Sequence, residues 1–276
     1  MHQTIPRLLA KSPRRATRSL VVAFLLLLVV VGCAERRQSR LIEEADGKIG
    51  KSEYAHAAEI LKRAVAIHPE SRTAVKALYK LGFVLETYLR DFEGALFNYN
   101  EFIRLGGDPV AAYEVRKRIA NLYFEQTGDP DKAVEAYRKL LTTSPESLEG
   151  DLFQFRIGQS YFRMNEFEKA RDEYQILIDR YPKSHFVART RYEIGNSYYM
   201  EGKYEIALEA LKQVLRYHPQ SEYAVESQFL HAQCLEHLDR FPAALQVFES
   251  IRDKYTPREV VNLRISEIEK RSKKVK

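Results

Sequence analysis

The sequence contains no tryptophan and only two cysteines, Cys33 and Cys234. At most one pair could form, so a disulfide framework is excluded and stability has to come from packing. No glycine-rich phosphate loop, nucleophile elbow or paired-histidine zinc motif occurs. The carboxylates are spread over solvated faces, and no pair stands out in an apolar context. The apolar run Leu20 to Val31 has 12 residues. A hydrocarbon core of about 30 Å needs about 20 helical residues, so this run is too short to span comfortably. What the chain does have is apolar and aromatic mass: 45% hydrophobic residues, with 17 tyrosines and 14 phenylalanines. That is ample for a continuous core and argues against disorder.

Four segments share a Pro-x-Ser pattern: Pro69-Glu70-Ser71, Pro145-Glu146-Ser147, Pro182-Lys183-Ser184 and Pro219-Gln220-Ser221. From 145 to 182 to 219 the spacing is 37 residues, and Pro257 follows 38 later. A period of that size marks a helical repeat array, which grows in one dimension. Around each proline a unit can be aligned. A first helix carries a small residue; a turn follows; a second helix carries an aromatic, an alanine three later and a large apolar residue four after that. Gly158, Phe167, Ala170, Tyr174 and Pro182 are one set, and Gly195, Tyr204, Ala207, Leu211 and Pro219 the next. Small residues let paired helices approach, and large ones fill the space between them. Gly128 and Gly202 permit tight turns, Asp129 is placed to cap a helix, and Pro130 and Pro242 fit first-turn positions. The four serines are expected as N-caps of the following helices.

This pattern resembles the tetratricopeptide repeat over about 41–257, in six units. The resemblance implies an all-α, right-handed helical solenoid of about six helix pairs. That family's unit is about 34 residues, so the longer period here predicts a first helix extended by nearly one turn. Val261, Ile265 and Ile268 fall on one face of the stretch 258–276, which is expected to be a capping helix with a basic tail.

Residues 1–19 hold Arg7, Lys11, Arg14, Arg15 and Arg18 and no acid, and the short apolar run follows. This order is that of a secretory signal, expected to cover 1–32. Val30-Val31-Gly32-Cys33 resembles the bacterial lipobox. It implies acylation of Cys33, a short tether over 33–40 and, with Ala34 after the cysteine, delivery to the periplasmic face of the outer membrane. Arg14-Arg15 lacks the apolar residue that a twin-arginine signal places after its arginines. Removing 1–32 takes away five basic residues, so the formal charge falls from +6 to +1, and a nucleic-acid partner loses its support. Arg36, Arg37 and Arg40 stand close to the anchor, where anionic headgroups could meet them.

In tetratricopeptide arrays the inner face is lined by first-helix residues three before, one after and four after the small residue. The middle row here reads Asp46, Phe83, Asn121, Gln159, Asn196 and Gln233. The flanking rows include Tyr79, Lys117, Phe155, Tyr192 and Phe229 on one side and Phe124, Phe162, Tyr199 and Glu236 on the other. An amide can donate and accept at once, which suits an extended peptide backbone, and aromatic faces take side chains without demanding a sequence. The candidate groove is therefore Tyr79, Asn121, Phe124, Phe155, Gln159, Phe162, Tyr192, Asn196, Tyr199, Phe229 and Gln233; the same aromatics could instead pack between repeats. Lys117, Asn121 and Arg189 partly resemble a carboxylate clamp, from which Arg156 and Glu193 depart. His231, Cys234 and His237 are spaced awkwardly for one metal, and Cys234 and His231 read as residues near the core stripe. No catalytic residue, metal or cofactor is expected. The junction style and the lipobox together most resemble the BamD (YfiO) group of periplasmic lipoproteins, with CpoB-like repeats. That resemblance implies a non-enzymatic scaffold whose partners are barrel-assembly components or unfolded outer-membrane substrates. A pilotin-like lipoprotein for a secretin, similar to PilF, and a CpoB-like peptidoglycan organiser are the alternatives.

Overall fold

The computed structural model describes residues 13–274, with side chains over 32–272. Residues 1–12, which belong to the expected signal, and the last two of the basic tail lie outside the described residues. The described chain is all-helical, with no strand: α1 (Pro13–Gly50), α2 (Tyr54–Ile67), α3 (Arg72–Val84), α4 (Phe92–Arg104), α5 (Pro109–Glu125), α6 (Pro130–Thr143), α7 (Gly150–Arg163), α8 (Phe167–Arg180), α9 (Val187–Met200), α10 (Tyr204–Tyr217), α11 (Tyr223–His237), α12 (Phe241–Ile251) and α13 (Arg258–Lys274). A π-helical turn, Leu85–Leu89, continues α3. The chain divides into two compact units that meet between Val115 and Arg116.

In the first unit α1, α2, α3 and α4 each pack on the next. Ala45, Ala57, Leu61, Ala74, Gly82 and Tyr99 lie in its core. Gly82 marks the closest approach: a Cβ there would stand 2.6 Å from Tyr99 Cε1. Only a residue without a side chain admits that ring, which is the physical content of the small-then-large pattern.

The second unit repeats the arrangement from α6 to α13, again with each helix packed on its successor. Its buried cores include Ala170, Tyr174 and Leu177, and then Ala207, Leu211, Ala232, Ala244 and Phe248. A Cβ on Gly158 would meet Tyr174 and one on Gly195 would meet Leu211. Val261 and Ile268 of α13 are fully buried against Phe248 and Ile251, so α13 covers the apolar end as expected of a cap. Arg271 ties it down through Glu236 at 2.9 Å.

The turn within each helix pair carries a left-handed residue: Ser52, Arg90, Gly128, Asn165, Gly202 and Asp239, at intervals of 37 or 38 residues. Only the two glycines announced themselves in the sequence. The expected caps at Asp129 and prolines near helix starts are present: Lys132 N donates to Asp129 Oδ1 at 3.1 Å, and Pro130 and Pro242 sit in first turns.

Three expectations are corrected. Ser71 caps α3, accepting from Ala74 N at 3.0 Å, but the N-caps of α7, α9 and α11 are Glu149, Phe186 and Glu222. Ser147 and Ser184 accept instead from the backbone N–H two residues on, at 3.2 and 3.1 Å, and Ser221 donates to His218 O at 2.8 Å. They build the turn before the helix rather than cap it. As a result the first helix is not lengthened in these 37-residue units: α7 and α9 have 14 residues, no more than the second helices α8 and α10, whereas α5 has 17. The residues that lengthen the period sit in the connections, such as 181–186. Residues 33–40, expected as a tether, lie within α1 and are helical.

Candidate functional site

Four successive first helices of the second unit, α5 beyond residue 115, α7, α9 and α11, place Asn121, Gln159, Asn196 and Gln233 one residue after their close-packed small residues Ala120, Gly158, Gly195 and Ala232. The small residues are buried and the four amides are partly exposed. Each amide therefore sits at the rim of a packed helix pair, held by a backbone that cannot shift.

Three of the amides are oriented by neighbours. Asn121 Oδ1 accepts from the Tyr137 hydroxyl at 2.7 Å. Gln159 Oε1 accepts from Arg156 at 3.3 Å. Asn196 Nδ2 donates to Glu193 Oε2 at 3.3 Å. These bonds leave the amide nitrogens of Asn121 and Gln159 as donors and the oxygen of Asn196 as an acceptor, the mixture that a backbone ligand requires.

The flanking aromatics divide into two groups. Phe162, Tyr192, Tyr199 and Phe229 are partly exposed. Phe229 stacks on Tyr255 with centroids 4.3 Å apart, Tyr192 leans on Tyr223, and Tyr199 approaches His237 Nε2 at 3.1 Å. Phe124 and Phe155, by contrast, are 2% and 1% exposed. Phe155 stacks on Phe186 at 4.9 Å, and Phe124 packs edge-on against Tyr137. They are core residues, and they hold the rim rather than present a face to a ligand. Tyr79 belongs to the first unit, where with Arg72, Lys76, Lys80, Phe102 and Asp108 it lines a cavity of about 560 Å³.

The clamp residues are differently engaged. Lys117 Nζ lies 3.0 Å from Glu149. Arg189 lies over Phe155 at 4.9 Å, with its Nε 3.7 Å from Glu193. Burial holds the Glu193 carboxyl above its ordinary pKa, against the opposing pull of Asn196 and Arg189.

Sequence reasoning met Arg156 only as a departure from a clamp and missed Arg163 and Arg171, which frame this rim with it. Arg156 and Arg163, seven apart on α7, bracket the Phe124 ring at 4.3 and 3.7 Å, and Arg163 donates to Phe124 O. Desolvation, and then the Arg156 charge, draw Arg163 below its ordinary pKa. Arg156 also reaches Glu125 at 3.3 Å. Farther along, Arg171 covers Tyr198 at 4.1 Å and pairs with Glu201 at 2.6 Å. The available signal was the i, i+7 spacing about Gln159, but in a chain with 30% charged residues that spacing has many equals. Guanidinium planes over aromatic faces stiffen the rim.

His231, Cys234 and His237 go to three different environments. Cys234 is fully buried and its thiol is pushed up to about 12 by burial. Burial also lowers the His231 imidazole, and His237 stacks on Tyr204 at 4.4 Å. Among the described residues no group of three His, Cys, Asp or Glu side chains could hold a metal ion, and no helix is long and apolar enough to cross a membrane.

Known proteins match this arrangement at the level of fold. Family models of the tetratricopeptide repeat match residues 118–147 and 153–184 and residues 192–258. No curated relative matches the sequence. Among solved structures, a tetratricopeptide repeat protein from Parabacteroides merdae is similar at TM-score 0.53 and 19% identity, covering 85% of this chain and 87% of that one. A chain in the structure of Naa15/Naa10 bound to HypK-THB is similar at TM-score 0.66 and 15% identity; the match covers 91% of this chain and 36% of that one. The chain thus carries tetratricopeptide repeats on an all-helical fold resembling that of tetratricopeptide-repeat proteins, an architecture that points to a scaffold for protein–protein interaction.

Proposed function

We propose that this protein is a lipid-anchored, non-enzymatic scaffold of the bacterial envelope that captures segments of other proteins along the first-helix rim of its second unit. The observation that carries this reading is the register of Asn121, Gln159, Asn196 and Gln233: four partly exposed amides at one position of successive helices, beside the partly exposed Phe162, Tyr192, Tyr199 and Phe229. Such a row offers donors and acceptors in alternation with apolar faces, at points where the backbone is immobilised by packing. Arg156 and Arg163 add positive charge, which favours segments carrying carboxylates.

The anchor is supported by the sequence: a basic segment, a short apolar run and Gly32-Cys33, with Cys33 exposed. Resemblance to the BamD group supports placement at the outer membrane and service to barrel-protein assembly.

The test is crosslinking in cells with identification of the bound proteins, comparing the native chain with one carrying Asn121→Ala, Gln159→Ala, Asn196→Ala and Gln233→Ala. Loss of partners with an intact helical signal is expected. Undiminished capture would remove the rim as the binding surface. Depletion of the protein is expected to lower barrel proteins generally. Loss of secretin multimers alone, or recovery of cell-wall enzymes alone, would transfer the role to a pilotin or to a peptidoglycan organiser.

A further inference from the structure

Gln38 is fully buried although it lies only five residues beyond Cys33. Its Nε2 donates to Ala64 O at 2.9 Å and to His68 O at 3.2 Å, and its Oε1 accepts from Ser71 Oγ at 2.8 Å. One side chain thus joins α1 to the end of α2 and to the cap of α3. Leu41 and Ala45, on the following turns, are buried beside it.

At about 100° per residue, Gln38, Leu41 and Ala45 fall about 80 to 140° around the helix from Cys33. Arg36, Arg37 and Arg40 fall within about 60° of it. The cysteine and the three arginines therefore share one stripe, and all four are exposed. On the next turns the charge reverses at Glu43, Glu44 and Asp46, so the positive stripe is confined to the end that carries Cys33.

We propose that residues 33–41 are a docked strut rather than a loose tether, and that the face formed by Cys33, Arg36, Arg37 and Arg40 lies on an anionic phospholipid surface, orienting the first unit against the membrane. The inference rests on the anchored reading above. Basic side chains next to a lipid anchor add an electrostatic attraction to anionic headgroups. Each arginine near an anionic surface is worth about a fivefold gain in partition. An extended linker would let the unit tumble, whereas a helix latched by three hydrogen bonds, two of them buried, transmits the direction of the anchor to α2 and α3. Burying Gln38 without those partners would be costly, so the latch and the helix support each other.

The full chain is reconstituted in vesicles of phosphatidylcholine alone and in vesicles with phosphatidylglycerol added. Modification of arginines by phenylglyoxal is read by mass spectrometry, with Arg138 of the second unit as internal reference. Arg36, Arg37 and Arg40 are expected to be modified about fivefold more slowly on anionic vesicles, and high salt is expected to abolish the difference. Equal rates on both vesicles would overturn the membrane-facing stripe. Hydrogen exchange tests the strut: amides 36–45 are expected to be protected in the native chain, and Gln38→Ala to release them while the second unit is unchanged. Free exchange of those amides in the native chain would overturn the strut without reference to any variant. The mass of the Cys33 peptide reports acylation separately. An unmodified cysteine with slowed arginines would remove the acyl chain and leave the basic face standing.

Discussion

Gly158 of α7 and Tyr174 of α8 approach so closely that a methyl group on the glycine would lie 2.4 Å from the tyrosine Cε1. Tyr174 is fully buried, and its ring has no open space to move into. The pair recurs as Gly82 with Tyr99, where the corresponding distance is 2.6 Å.

Gly158→Ala is therefore expected to destabilise the second unit by about 1–3 kcal/mol through overpacking, despite the better helix propensity of alanine. The contrasting site is Gly47, within α1, around which nothing lies within 4 Å of a built Cβ. Gly47→Ala should gain up to about 1 kcal/mol. Urea unfolding of both variants measures the difference in sign.

Ser52 holds a left-handed backbone, φ 60°, at the turn between α1 and α2. A side chain there costs about 1 kcal/mol that glycine does not incur. Ser52→Gly should raise the urea midpoint of the first unit slightly. A lowered midpoint would mean that the serine side chain contributes more than the strain removes.

Cys234 has its thiol raised to about 12 by burial. At pH 8 only about one molecule in ten thousand would carry the thiolate, the reactive form. Iodoacetamide should leave Cys234 unmodified in the native protein and label it fully in denaturant. Fast native labelling would show that α11 opens readily.

The raised pKa of Glu193 has a definite sign in stability. A carboxyl that holds its proton more tightly when folded makes the folded state relatively more stable at low pH, and that contribution is lost as pH rises from the unfolded value through the folded one. Glu193→Gln should accordingly stabilise the protein at neutral pH and make no difference below the ordinary carboxylate range. A variant less stable than the native chain at pH 7 would mean that its contacts with Asn196 and Arg189 outweigh burial.

Ile268 is fully buried where α13 closes the second unit. Ile268→Ala should cost about 2–5 kcal/mol and expose the end of the array. Binding of a hydrophobic dye before the main unfolding transition, absent in the native chain, checks the capping role.

How much of this was legible beforehand depends on the kind of interaction. Gly158 and Gly195 announced helix pairing, because the absence of a side chain is visible in a sequence and has one main structural use here. The left-handed turns at Ser52, Arg90, Asn165 and Asp239 were not legible, since those residue types are compatible with many conformations and only the closed turn imposes this one. Ser147, Ser184 and Ser221 looked like caps by position. Whether a serine caps a helix or builds the turn before it depends on where the backbone reaches helical geometry, which the pattern leaves open.

At the candidate rim the same division holds. Sequence period alone placed Asn121, Gln159, Asn196 and Gln233 in one row, since a repeat carries equivalent residues to equivalent places. It could not separate Phe124 and Phe155, which packing buries, from Phe162, Tyr192, Tyr199 and Phe229, which it leaves partly exposed. Nor could it place Arg156 and Arg163 on the Phe124 ring, or draw Gln38 into the core between α1, α2 and α3. Helix type, order and register are set by local spacing, and so the sequence by itself determined them. Burial and the partners of long polar side chains depend on which surfaces meet, and those only the tertiary structure decided.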